Sequence, residues 1–168
     1  MARVSHIQRI IHLEGLYMAK LFTGSKTLNT ATILFLIVLA TQLVLGMIYS
    51  IKGSFMSYHI DFIGITASDV TRYNSELMHL VSVFIRLIGV LQISFSIAAI
   101  FILFFAFRKK QKWSWYAFLL NLIVFSIPFS ILTKSVVGPA GIPFLMTVMS
   151  SMLAAIGLVL GYIALFKE

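Results

Sequence analysis

Along this chain, long stretches without a single charge alternate with short polar clusters, and the stretch lengths are the first informative feature. Uncharged runs extend from Thr27 to Ile51, Leu87 to Phe107, Trp113 to Thr133 and Ser135 to Phe166. Each reaches the ~20 residues that a helix needs to cross about 30 Å of hydrocarbon. Three crossings would leave an apolar run in water, and five would require cutting the last run, which is too short for two. The pattern therefore predicts an all-α chain, a polytopic membrane four-helix bundle over residues 25–168, with spans at about 28–50, 78–107, 113–133 and 143–166.

The first 24 residues follow a different period. At 100° per residue, Val4, Ile7, Ile10, Ile11, Met18, Leu21 and Phe22 share one side, with Arg9, His12 and Lys20 opposite. This is the pattern of an amphipathic helix lying in the headgroup plane or docking against a partner subunit, although Glu14 sits on the apolar face and Gly15 interrupts it. The segment lacks the continuous apolar core and cleavage site of a signal peptide, so it is expected to remain in the mature protein. "TGSK" then separates this interfacial helix, residues 1–24, from the first span.

Composition reinforces the membrane reading. The chain has 168 residues and is 60% hydrophobic, against about 45–50% in soluble domains. Its net charge of +8 would suggest nucleic acid in a soluble protein, but here the basic residues gather at span ends, so no nucleic-acid partner is expected. Arg3, Arg9, Lys20, Lys26, Arg108, Lys109, Lys110, Lys112 and Lys167 fall on one side, nine in all, against Lys52, Arg72 and Lys134 on the other. The positive-inside rule then predicts a multi-pass cell-membrane protein with both termini and the basic loop in the cytoplasm, in contact with membrane lipids.

Polar residues inside the spans are few. Gln42 in the first span and Asn121 in the third are read as amides that hydrogen-bond a neighbouring helix. Gly157 and Gly161 form a small-xxx-small pair in the fourth span, which lets another helix approach closely, within the bundle or from a partner. Pro128 is expected to kink the third span. Trp113, Trp115 and Tyr116 form an aromatic belt beside the basic loop.

The outer loop, residues 52–68, is unusually apolar, with Phe55, Tyr58, Ile60, Phe62 and Ile63, and is expected to pack on the helix ends or on another protein. Ser68 and Asp69 supply a helix start signal. A second helix running from Asp69 to Phe107 has about 39 residues and a length of about 58 Å, so it overshoots the bilayer. Counting back from the "RKKQK" turn puts Arg86 at the outer hydrocarbon edge and His79 and Glu76 about 10–15 Å beyond it. Asp69, Arg72, Glu76, His79 and Arg86 share about 100° of arc on that helix, with alternating sign. The stripe reads as a ladder of ion pairs with a snorkelling Arg86, or as a ligand or partner site to which His59 and Asp61 would be added if the loop folds back.

Chemistry enters mainly as exclusion. The chain has no cysteine, so disulfides and thiolate sites are impossible. "ELMH" has the Glu-x-x-His spacing of di-metal carboxylate bundles, but they need a second copy that this chain lacks, so no metal and no cofactor is expected. No phosphate loop, Gly-x-Ser-x-Gly or zinc-protease helix occurs. Glu76 and His79 are the only plausible acid and base pair, and no catalytic site is expected. The fully intramembrane stretches contain no Asp, Glu, Lys or His, which argues against an ion-coupled transporter.

The segment "RLIGVLQISFSIAAIFILFFAFRKKQKWSWYAF", Arg86 to Phe118, places an Arg-x-x-Gly at the opening of the second span and a basic turn followed by tryptophans at the opening of the third. In this it resembles the DoxX-like group of small prokaryotic four-helix membrane proteins. Many members have no assigned activity, and some are associated with quinone-linked respiratory or oxidase complexes. The missing catalytic constellation, the Gly157 and Gly161 strip and the apolar outer loop point to a non-catalytic accessory or scaffold subunit of a larger integral membrane complex, with other membrane subunits as partners, and the resemblance implies a membrane oxidoreductase as one such complex. The alternative is a stand-alone protein that binds a lipid, quinone or other apolar ligand between its helices, with the aromatic loop as cap and Arg86 at the polar head.

Overall fold

The computed structural model describes residues 25–138 and 141–167, so the amphipathic helix expected over residues 1–24 lies outside the described residues. Regular structure among them is entirely helical. Helix α1 spans Lys26–Lys52, α2 Ser57–Ile63, α3 Ala67–Tyr73, α4 Ser75–Ile102, α5 Lys112–Asn121, α6 Ile127–Val137 and α7 Ile142–Tyr162. Helix α4 runs on through a π-helical turn at Leu103–Phe107, α5 joins α6 through another at Leu122–Ser126, and α7 ends in a third at Ile163–Lys167. Four continuous helices result: Lys26–Lys52, Ser75–Phe107, Lys112–Val137 and Ile142–Lys167. Each is long and apolar enough to cross a membrane, and together they are referred to below as spans one to four.

Local chemistry sets the ends. Ser25 accepts a hydrogen bond from Leu28 N–H at 3.3 Å and caps α1. Gly53 closes α1 with φ +51°, a left-handed conformation in which its N–H reaches Tyr49 O. In span three, Pro128 has no N–H for the carbonyl one turn back, and its ring crowds that turn. The chain responds with the π-turn immediately before it, so the expected kink takes the form of a locally widened helix.

The long second helix differs from expectation. It breaks at Asn74, whose backbone is extended (φ −159°, ψ 108°). The Asn74 side-chain oxygen accepts from Glu76 N–H at 3.0 Å and Leu77 N–H at 3.1 Å, which starts α4 afresh. Helix α3 has its own start, with Thr66 accepting from Asp69 N–H and the Asp69 carboxylate accepting from Thr66 N–H at 2.9 Å, a reciprocal capping box. One helix of about 39 residues is thus replaced by a seven-residue helix and a separate span.

Span one is central, packing most extensively on α4 and next on α7, while α7 also packs on α6. The core lies toward the basic loop. There Phe35 of α1 stacks on Phe118 of α5 with centroids 4.4 Å apart, and Phe107 meets both rings edge-on at 5.3 and 5.7 Å. Span four receives these rings on its glycines. A Cβ at Gly157 would meet the Phe35 ring at 3.2 Å, and one at Gly161 would meet Phe107 at 2.7 Å. The Gly157 and Gly161 strip is therefore used inside the chain, by aromatic rings. Trp115 adds a cross-link, donating its indole N–H to Leu158 O at 2.8 Å. Span three contributes least to this core, with 6% of its most apolar window buried against 33% in spans one and four.

Candidate functional site

At the other end, α1 crosses α4 at close range. A Cβ at Gly89 would lie 2.5 Å from both Ser50 N and Ser50 Oγ and 2.7 Å from Gly46 O, and a Cβ at Gly46 would lie 3.0 Å from Gly89 O. Backbone meets backbone here, which only small residues permit. One turn outward from Gly89, Arg86 lies across Gly53, and a Cβ on Gly53 would run into its guanidinium Nε. The Arg-x-x-Gly of the sequence is thus a paired device, in which the glycine admits α1 and the arginine lies over the cap of α1. Ser50 Oγ is buried in the crossing without a hydrogen-bond partner. The Gly46-xxx-Ser50 spacing that matches Gly89 is visible in the sequence, but nothing in the chain alone pairs it with α4.

Over this end the connection between spans one and two forms an aromatic cap. The Tyr49 and Tyr58 hydroxyls hydrogen-bond to each other. His59 lies beside Tyr58 with ring centroids 4.2 Å apart, and the Phe55 ring meets it edge-on with centroids 6.3 Å apart. His59 Nδ1 accepts from Met56 N–H at 3.1 Å, which fixes the proton of the neutral ring on Nε2. Burial holds the His59 pKa below its ordinary value of 6.5, because an apolar setting penalises the charged form. Helix α2 packs against α6, so this cap spans the gap between spans one and three.

The residues singled out from the sequence are dispersed. The break at Asn74 puts Asp69 and Arg72 on α3 and Glu76, His79 and Arg86 on α4, so the five no longer form one stripe on one helix. Asp69 is occupied with Thr66, whose hydroxyl donates to its carboxylate at 2.6 Å. That side-chain bond, then the Thr66 backbone bond, then nearby Arg72 hold its pKa below the usual carboxylate range, with slight burial opposing them. Asp61, Arg72, Glu76, His79 and Arg86 are all exposed, while His59 is half-buried. Among the described residues, no three His, Asp or Glu side chains gather as a metal site would need, so His59, Asp61, Glu76 and His79 do not converge.

Gln42 and Asn121 do come together, although not as helix-to-helix hydrogen bonds. Both line one small cavity between spans one, three and four, and their side-chain oxygens are buried without partners. No protein-family model, no curated protein and no solved structure matches this chain, so its function is argued from its own geometry.

Proposed function

We propose that the chain is a multi-pass membrane protein, a bundle of four spans, that serves as a non-catalytic subunit or scaffold of a larger membrane assembly. A membrane oxidoreductase of the respiratory type is the class that the DoxX-like resemblance suggests. The observation that carries this reading is a set of exposed apolar side chains outside the spans. Phe62, Ile63, Ile65 and Tyr73, in the segment joining spans one and two, are 58, 41, 46 and 86% exposed. Apolar side chains along a span are covered by lipid, whereas exposed ones beyond the spans favour a docking partner. The nine-to-three distribution of basic residues supports cytoplasmic termini, with these side chains on the opposite side.

A photo-crosslinker at Phe62 in native membranes tests the proposal. The expected result is a discrete protein adduct that is lost in the Phe62→Ser, Ile65→Ser double variant. Lipid adducts alone, together with a monodisperse monomer in mild detergent, would overturn it. Orientation is checked separately: a cysteine at Lys110 should be labelled only from the cytoplasmic side, and one at Thr66 only from outside.

The reading in which an apolar ligand is bound has Arg86 in its favour, since this residue is exposed where α1 ends and the aromatic cap begins. A stoichiometric lipid or quinone found by mass spectrometry of the purified protein, and lost on Arg86→Ala, would favour that reading over the scaffold.

A further inference from the structure

The cavity beside Gln42 and Asn121 combines two observations that point to an occupant. Gln42 Oε1 on α1 and Asn121 Oδ1 at the end of α5 are both shut off from solvent and both lack a hydrogen-bond partner. They line the same cavity, whose volume is about 20 Å³, along with Phe35, Leu39, Phe118 and Ser126. The π-turn at Leu122–Ser126, which accommodates Pro128, follows directly on Asn121 and forms part of the cavity wall.

We propose that this cavity is a binding site for one ordered water molecule, which donates one O–H to Gln42 and the other to Asn121 and thereby links span one to span three. The size fits, because a water needs about 10–15 Å³ of such volume and two to four polar partners. A lipid headgroup or quinone ring does not fit in that space. The hydrogen-bond count fits as well. Two orphaned acceptors require two donors, and water supplies both, whereas an alcohol supplies one. Water also suits either orientation of each amide, since it accepts as readily as it donates. Ser126 offers a hydroxyl at the cavity wall as a third partner.

The occupied and dry states respond oppositely to the same substitutions. In an occupied site, Gln42→Leu removes an anchor and strands the water, so the variant is less stable. In a dry site, leucine replaces a buried, unpaired oxygen with apolar surface, and the variant is as stable as the parent or more so. Thermal unfolding of the full chain in detergent is expected to show a lowered midpoint for Gln42→Leu and for Asn121→Leu. The double variant should fall no further than the worse single, because both act through one water. Unchanged or raised midpoints, or fully additive losses, would overturn the proposal.

Radiolytic footprinting of the unsubstituted protein gives an independent reading, since a trapped water labels the side chains beside it. Phe35 lines the cavity and Phe107 does not, yet both are buried. Labelling of Phe35 is expected to exceed that of Phe107 several-fold, and the excess should vanish in Gln42→Leu. Equal labelling of the two rings would refute the bound water even if the leucine variants failed to fold.

Discussion

Substituting Gly89 by alanine tests the crossing of α1 and α4 with the smallest available change. The added Cβ would lie 2.5 Å from Ser50 N and Oγ and 2.7 Å from Gly46 O, where ordinary contact begins at 3.4 Å. Two of these three atoms belong to the backbone of α1, so no rotamer change relieves the overlap. The helices must separate locally by about 0.9 Å, the difference between 3.4 and 2.5 Å. A gap of that size forfeits a quarter to a half of the dispersion energy of each facing contact, and overpacking of this kind costs about 1–3 kcal/mol. Alanine returns up to about 1 kcal/mol through its better helix propensity. A net loss of about 1–2 kcal/mol is expected, roughly a five- to thirty-fold change in the folding equilibrium.

Gly157→Ala is the internal control. Its Cβ would meet only atoms of the Phe35 ring, at 3.2–3.4 Å, and a ring can tilt by a few tenths of an ångström. Propensity then offsets the strain, and the variant should lie within about 0.5 kcal/mol of the parent. Unfolding of both variants in mixed micelles, followed by the fluorescence of Trp113 and Trp115, measures the difference. If Gly89→Ala proves as stable as Gly157→Ala, the two spans do not meet at Gly46 and Gly89, and the reading of the Arg-x-x-Gly device fails with it.

Lys110 has φ +56° in the basic turn, a conformation that costs a non-glycine residue about 1–2 kcal/mol; Lys110→Gly should therefore gain about 0.5 kcal/mol after the entropy cost of glycine, measured by the same unfolding assay. His59 should make the aromatic cap sensitive to acid. Its pKa is lowered in the folded chain, so the stability tied to the neutral ring is complete above the unfolded value of 6.5 and is lost as pH falls through the lower folded value. The protection of the Met56 amide, whose N–H is held by His59 Nδ1, should therefore fall as pH is lowered from the unfolded value of 6.5, a loss absent in His59→Gln. Trp115→Phe deletes the indole donor to Leu158 O and should cost about 1–2 kcal/mol, read as a lowered unfolding midpoint, while Trp113→Phe at the exposed neighbouring position should change little.

How much was legible in the sequence differs from element to element. Helix ends were partly readable, since Asn74 is a good cap residue standing at the head of "NSEL". Ser68 and Asp69 compete with it, and a continuous helix from Asp69 satisfied the same local pattern. Only the folded chain shows both starts in use, with Thr66 and Asn74 each closing a cap. The polar stripe built on the continuous helix was lost for that reason. Gly157 and Gly161 were recognisable as a strip that admits a close neighbour, yet their occupants, the rings of Phe35 and Phe107, come from residues more than fifty positions away.

By itself, the sequence determined that the described residues contain four helices of membrane-crossing length. Hydrocarbon has a fixed thickness, and an uncharged run either reaches that length or does not, which is a one-dimensional measurement. The tertiary structure decided which faces meet. In a soluble helix an apolar stripe marks the inner side, but a span is apolar all round, so hydrophobicity does not distinguish a face toward lipid from a face toward a neighbour. The distinction rests on where small residues allow backbones to close, as at Gly46 and Gly89, and on which polar atoms end up sharing a cavity, as at Gln42 and Asn121. Both depend on pairings between distant parts of the chain, which exist only once the helices have packed.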